Sequence, residues 1–267
     1  MAEVIPTENF SPLNFQRFAP HPRLAPWVQC LWSIGTQTPN GHQNIEKFYP
    51  DGGASLTIGL STHEPVITFE QNTCTSMRLV RATDACVSIR FTPTGAYFLL
   101  GLEPQELSDK QLCLGRDYTP QWHSSLAVIA TRLYNLDLVA KISVLEQWLL
   151  QRLTKCASRQ AHTWKLVHAI KMHPLPPGQL EDHLGVNRRT LERTFKRQIG
   201  ISPGQYIGYC RTHQARRLLA ASTMPLADIA LECGYYDQPH FSHAFQKSTF
   251  ETPAEYRARK LSQIYKA

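Results

Sequence analysis

Arg189, Arg193, Lys196 and Arg197 fall on one face of a helix, and Leu191, Phe195 and Ile199 repeat every four residues on the other. One face packs and the other is cationic. Some fifty positions later His240, His243 and Lys247 face outward while Phe241 and Phe245 face inward. Cationic side chains grouped on a helix face suit phosphate, because each neutralised phosphate releases condensed counterions. His240-x-x-His243 also has the spacing of two metal ligands on one helix face. No third ligand stands nearby, so phosphate or base contact is the better reading.

The elements that position these groups occur twice. Leu180-x-x-x-Leu184-Gly185 returns as Ile229-x-x-x-Cys233-Gly234, 49 positions later. Arg193-x-Phe195-Lys196-Arg197 returns as His243-x-Phe245-Gln246-Lys247 at an offset of 50, and Ser202-Pro203-x-x-Tyr206 returns as Thr252-Pro253-x-x-Tyr256 at the same offset. The extra residue belongs in the turn after Gly234. A helix, a glycine turn and a basic helix, repeated, read as two helix-turn-helix modules. Gly185 supplies the first turn and Asn187 caps the helix after it. Asp237 caps the second basic helix, with Pro239 in its first turn, where a missing N–H costs little. Between the copies, Ser202-Pro203 opens a helix through about Ala221. Its apolar stripe (Ile207, Cys210, Ala215, Leu218 and Leu219) suits a connector touching both modules.

This stretch resembles the DNA-binding domain of the AraC/XylS family of bacterial transcription regulators. The motifs are Arg189-Thr190-Leu191-Glu192-Arg193-Thr194-Phe195-Lys196, Gly200-x-Ser202-Pro203, Arg211-x-x-x-Ala215, Ile229-Ala230, Gly234-Tyr235-Tyr236-Asp237-Gln238-Pro239-His240-Phe241 and Thr252-Pro253-x-x-Tyr256-Arg257. The resemblance implies double-stranded DNA and RNA polymerase as partners, with both modules on one face of the duplex. It places Arg189, Glu192 and Arg193 toward bases and Arg188, Lys196 and Arg197 toward phosphates. In the second helix Gln238, His240 and His243 hold the corresponding positions, with Lys247 nearer the backbone. The sequence departs from the family at Glu181, where Ala is usual, at His243, where Arg is common, and at Phe250, where Gly is common. An aromatic at position 250 argues against a left-handed cap there. Glu181 either leans out to solvent or loosens the first module's helix crossing, whereas His243 and Phe250 predict a second module that reads DNA less strongly than the first.

Charge agrees with that division. Residues 161–267 hold 15 Lys and Arg against 8 Asp and Glu, whereas residues 1–160 hold 13 of each. The whole excess of +7 therefore sits with the duplicated helices. A length of 267 residues suits two domains. The expected fold is α+β, with a regulatory domain over 1–158 and an all-α domain of two modules over 160–267. Seven cysteines without C-x-x-C favour reduced thiols over a disulfide framework or structural zinc. The N-terminus carries no visible signal peptide, and no apolar run approaches the ~20 residues that span a bilayer. A cytoplasmic location away from membranes is expected.

Residues 1–26, rich in proline, read as an irregular lead-in, and residues 35–44 as a polar loop. Trp27–Ile34, Ala54–Leu60, Pro65–Phe69, Met77–Val80 and Cys86–Phe91 read as strands of a small, mostly antiparallel barrel or sandwich. Gly95–Leu102 fits either a strand or a buried helix. Residues 124–135 and 137–155 read as helices, the second packing on its own barrel or forming a homodimer interface. Residues 156–162 are a polar joint, followed by a helix containing Trp164, Val167 and Ile170. Phe48-Tyr49-Pro50-Asp51-Gly52 and Arg90-Phe91-Thr92-Pro93-Thr94-Gly95-Ala96 resemble sensing domains of one AraC-family branch, which has Gly where Thr94 stands. That likeness implies an attached regulatory domain, open to a small-molecule effector or to protein contact alone. Trp27, Trp32, Phe48, Tyr49, Phe91, Tyr97 and Phe98 are cavity candidates, though more simply core. A metal-dependent barrel enzyme is the rival class. Its clustered ligands are missing, since His21, His42, His63 and His123 lie far apart in sequence. Neither a Gly-rich phosphate loop nor a nucleophile elbow occurs, so no catalytic residue, metal or cofactor is assigned.

Overall fold

A computed structural model describes residues 4–5, 15–35, 43–60, 64–81, 83–156, 162–174 and 185–264. The N-terminal half is built on an antiparallel sheet of seven strands ordered β1-β2-β3-β8-β5-β6-β9. These are β1 (Val4–Ile5), β2 (Gln16–Phe18), β3 (Val28–Ile34), β5 (Ser55–Gly59), β6 (Val66–Glu70), β8 (Cys86–Phe91) and β9 (Gln111–Cys113). Among the described residues β4 (Gln43–Phe48) and β7 (Ser76–Arg81) pair only with each other. Register explains the core. Ile89 of β8 stands between Leu31 of β3 and Leu56 of β5, and all three are fully buried. Helices His123–Leu133 and Leu138–Lys155 cover this core through Leu126, Ala130, Ile142, Leu145 and Leu149. Trp122 meets Trp148 edge to face at 5.8 Å and donates its ring N–H to the Leu100 carbonyl at 2.8 Å. The second of these helices thus packs on its own domain.

Several sequence expectations are corrected here. The lead-in contains two short strands, β1 and β2, and a 3₁₀ turn at Pro22–Leu24. The loop expected over 35–44 ends in β4, which was hidden because a two-stranded ribbon need not bury one face. Gly95–Leu100 is a helix, and its apolar run lacks periodicity because almost every side is buried. Gln111–Cys113 adds an edge strand that pairs with β6. Trp27 and Phe98 stack at 3.7 Å, and Phe91 is fully buried, so these aromatics belong to the core.

The C-terminal half contains helices His162–Met172, Arg188–Ile199, Pro203–Ala221, Leu226–Glu232, Gln238–Thr249 and Pro253–Ile264. It has two small cores. Val167, Ile170, Leu191, Phe195, Ile199 and Ile207 form one, and Ala215, Leu219, Ile229, Phe241, Phe245 and Tyr256 form the other. The Pro203–Ala221 connector contributes to both. Its start is fixed by a capping box, in which Ser202 Oγ accepts from the Gln205 N–H and the Gln205 side chain accepts from the Ser202 N–H. Leu180, Glu181 and Leu184 lie outside the described residues, as does most of the 156–162 joint.

Phe250 overturns one expectation. Its φ of 61° places it in the left-handed region at the end of Gln238–Thr249, and its N–H reaches the Gln246 carbonyl at 2.8 Å. Gly200 makes the corresponding cap on Arg188–Ile199, with φ of 84°. The repeat keeps the cap geometry without keeping the glycine. Packing accounts for the difference. A Cβ on Gly200 would stand 2.8 Å from Ser108 Oγ and 3.1 Å from Pro104 Cβ, whereas Phe250 is 56% exposed.

Candidate nucleic-acid interface

Each basic helix is aimed by its cap and its buried stripe. Asn187 Oδ1 accepts from the Thr190 N–H at 2.9 Å, and Asp237 Oδ1 accepts from the His240 N–H at 2.7 Å. Leu191, Phe195 and Ile199 anchor the first helix, while Phe241, Phe245 and Thr249 anchor the second. With those faces buried, the polar side chains must point outward. Arg188, Arg189, Glu192, Arg193, Lys196 and Arg197 are all exposed, as are Gln238, His240, His243 and Lys247.

Their surroundings differ. Arg188 Nε lies 3.2 Å from Glu192 Oε1, one helical turn away, so this carboxylate already has a cationic partner. Arg197 leans back toward the N-terminal half, with its guanidinium 5.8 Å from the Tyr97 ring centre. Lys196 Nζ reaches the Gly200 carbonyl at 3.4 Å. Arg189 and Arg193 have no hydrogen-bond or ion-pair partner among the described residues, which leaves both guanidiniums available. In the second module the His240 ring stands edge-on to Tyr235 at 5.4 Å. Tyr236 is 88% exposed beside the Asp237 cap. The sequence reading did not single it out. The signal was there in Tyr235-Tyr236, where only one of two successive aromatics can face the core.

Arg211 couples the modules. It donates to the Pro174 carbonyl at 3.1 Å and lies 5.7 Å from the Tyr235 ring, in the second module's turn. Glu251, just beyond the second basic helix, is held by Lys47 of β4 at 2.7 Å and by Arg259 at 2.8 Å. Burial pushes its carboxyl up, but the hydrogen bonds from Arg259 and Lys47 outweigh burial and hold it below the usual glutamate range.

Residues 180–259, spanning both modules, match a family described as a helix-turn-helix domain. Over 95 residues the chain is 35% identical to the HTH-type transcriptional regulator ArgR of Pseudomonas aeruginosa, covering 36% of this chain and 29% of that protein. It is 37% identical over 76 residues to the HTH-type transcriptional activator RhaS of Escherichia coli, covering 28% and 27% of the respective chains. A solved transcriptional regulator of the AraC-type DNA-binding-domain class, from Chromobacterium violaceum, is 34% identical over 36% of this chain and 88% of its own, with a TM-score of 0.33. Over these residues the chain carries a helix-turn-helix domain of the AraC/XylS type. The AraC/XylS likeness to the curated relatives covers less than a third of their length. Residues 16–113 match a separate family, described as a domain of unknown function (DUF6597). Among the described residues no helix is long and apolar enough to cross a membrane.

Proposed function

We propose that this protein is an AraC/XylS-family transcription regulator that binds duplex DNA, its two modules entering successive major grooves. One observation carries the reading. Two helices related by the internal repeat are each capped, each anchored by a buried stripe, and each present exposed polar side chains from one shared connector. Arg189 and Arg193 face bases, where a guanidinium pairs with guanine O6 and N7. Glu192 accepts from a cytosine amino group after releasing Arg188. Arg188, Lys196 and Arg197 contact phosphates. Gln238, His240 and His243 read the second groove, with Lys247 on the backbone. Contact with RNA polymerase follows from the same reading.

The test is binding of the full-length protein to duplex DNA across a salt series. Several phosphate contacts predict a log–log slope of roughly −0.9 for each phosphate neutralised. Binding that does not change with salt would contradict the cationic faces as the contact surface. Control by a small molecule acting through residues 1–158 completes the proposal. Its support is the charge-balanced, sheet-built half packed against the basic one. A thermal-shift screen of the full chain against metabolites tests it, with a stabilising compound that also changes DNA affinity as the expected result.

A further inference from the structure

Resting on that reading, we infer that one short segment of the N-terminal half, Gln71–Thr75, gauges the distance between the two DNA-reading helices. Gln71, Thr75 and Lys47 are thus positioning residues for the spacing between the two half-sites. Alternate residues of the segment engage the first module, the connector and the second module in turn. Gln71, only 1% exposed, donates its side-chain amide to the Ile199 carbonyl at 2.7 Å. The Thr73 carbonyl accepts from Tyr209 Oη, on the connector, at 2.6 Å. Thr75 Oγ1 donates to the Ser248 carbonyl. Beside it, Lys47 Nζ donates to the Thr249 carbonyl at 3.0 Å.

Ile199 and Thr249 are the last residues of their helices and stand 50 positions apart, the offset of the repeat itself. The carbonyls at a helix C-terminus lack intrahelical partners and carry the negative end of the dipole, so amide, hydroxyl and ammonium donors suit them. The same point of each module is therefore gripped from one body.

That body is firm where it grips. Gln71 also donates to the Gly52 carbonyl at 2.9 Å and accepts from Ser108 Oγ at 3.2 Å. Thr73 N–H donates to Asp109 Oδ1 at 2.7 Å, and the Asp109 N–H returns to the Gln71 carbonyl at 2.7 Å. The Arg216 guanidinium of the connector lies 3.5 Å from the Tyr49 ring centre and stiffens the same junction. One added base pair moves the second box along the duplex by ~3.4 Å. A shift of that size breaks a hydrogen bond at one end of the segment.

The experiment uses full-length protein, a duplex carrying its two boxes at the selected spacing, duplexes lengthened or shortened by one base pair, and a single-box duplex. Wild type is expected to prefer the selected spacing by about tenfold, the scale of one or two lost hydrogen bonds. Lys47→Met combined with Thr75→Val should flatten that preference to within about threefold while single-box affinity stays within about twofold. Lys47→Arg, which keeps a donor, should retain it. Gln71→Met tests the other end, and Lys47→Met alone, at a half-buried position, answers if that variant fails to fold. A wild-type spacing profile in the variants overturns the inference, as does an equal loss on single-box and two-box duplexes. Wild type without any two-box preference overturns the proposed function as well.

Discussion

Arg193 is exposed on the first basic helix with no protein partner among the described residues. Arg193→Ala should cost on the order of 1–3 kcal/mol and relax preference at one base pair. Titration against a set of single-base variants of the site checks this, and an equal loss on every sequence would make Arg193 a phosphate contact. Lys196→Ala should instead weaken all sites alike and reduce the salt slope by about one. Residue 250 supports a stability prediction. A non-glycine residue in the left-handed region costs roughly 1–2 kcal/mol, so Phe250→Gly should raise stability by about 1 kcal/mol in thermal or denaturant unfolding. Gly200→Ala should do the reverse by about 2 kcal/mol, since it adds the same backbone cost to a collision with Ser108 and Pro104. The two ends of the repeat thus respond oppositely to the exchange of glycine and side chain. The sequence showed that position 250 was unusual. It did not show that the backbone keeps the left-handed turn, because that depends on the helix-end hydrogen bond to Gln246.

At the scale of elements, legibility followed periodicity. Asn187, Ser202 and Asp237 cap helices as expected, and the connector runs from Pro203 to Ala221. These were readable because a cap and a stripe of buried side chains are local signals. The strand Gln43–Phe48 carried neither signal. It is polar, pairs with β7, and buries part of itself against the second module through Lys47. The Lys47–Glu251–Arg259 cluster joins that ribbon to the final helix and makes the junction pH-sensitive. Glu251 titrates below its ordinary range in the folded protein, so its contribution is fully present above the unfolded value of ~4.3 and is lost as pH falls through the lower, folded value. Wild type should therefore lose melting temperature below about pH 4, and Glu251→Gln, already lacking the charge, should show a shallower acid limb. Parallel limbs in the two proteins would place the acid sensitivity elsewhere.

For the whole molecule, two halves of unlike composition share one mechanical task. Residues 161–267 hold the excess positive charge and the two cores that carry the basic helices. From the N-terminal half, the Gln71–Thr75 segment and Lys47 of the β4–β7 ribbon hold the ends of those helices. The composition split and the 50-residue repeat made the two-part plan readable from sequence alone. The junction was not readable. Its contacts join residues 128 to 204 positions apart, Gln71 with Ile199 and Lys47 with Glu251, and neither pair belongs to a local pattern. On the proposed function, both modules read DNA together. Selection of genomic fragments by the full-length protein, with competitor DNA at near-physiological salt, tests it most directly. The expected result is a recovered motif of two short boxes about one helical turn apart, ~34 Å centre to centre, with Arg193→Ala relaxing one position of one box and His243→Ala one position of the other. Recovery of no motif, or of one that neither substitution changes, would contradict it.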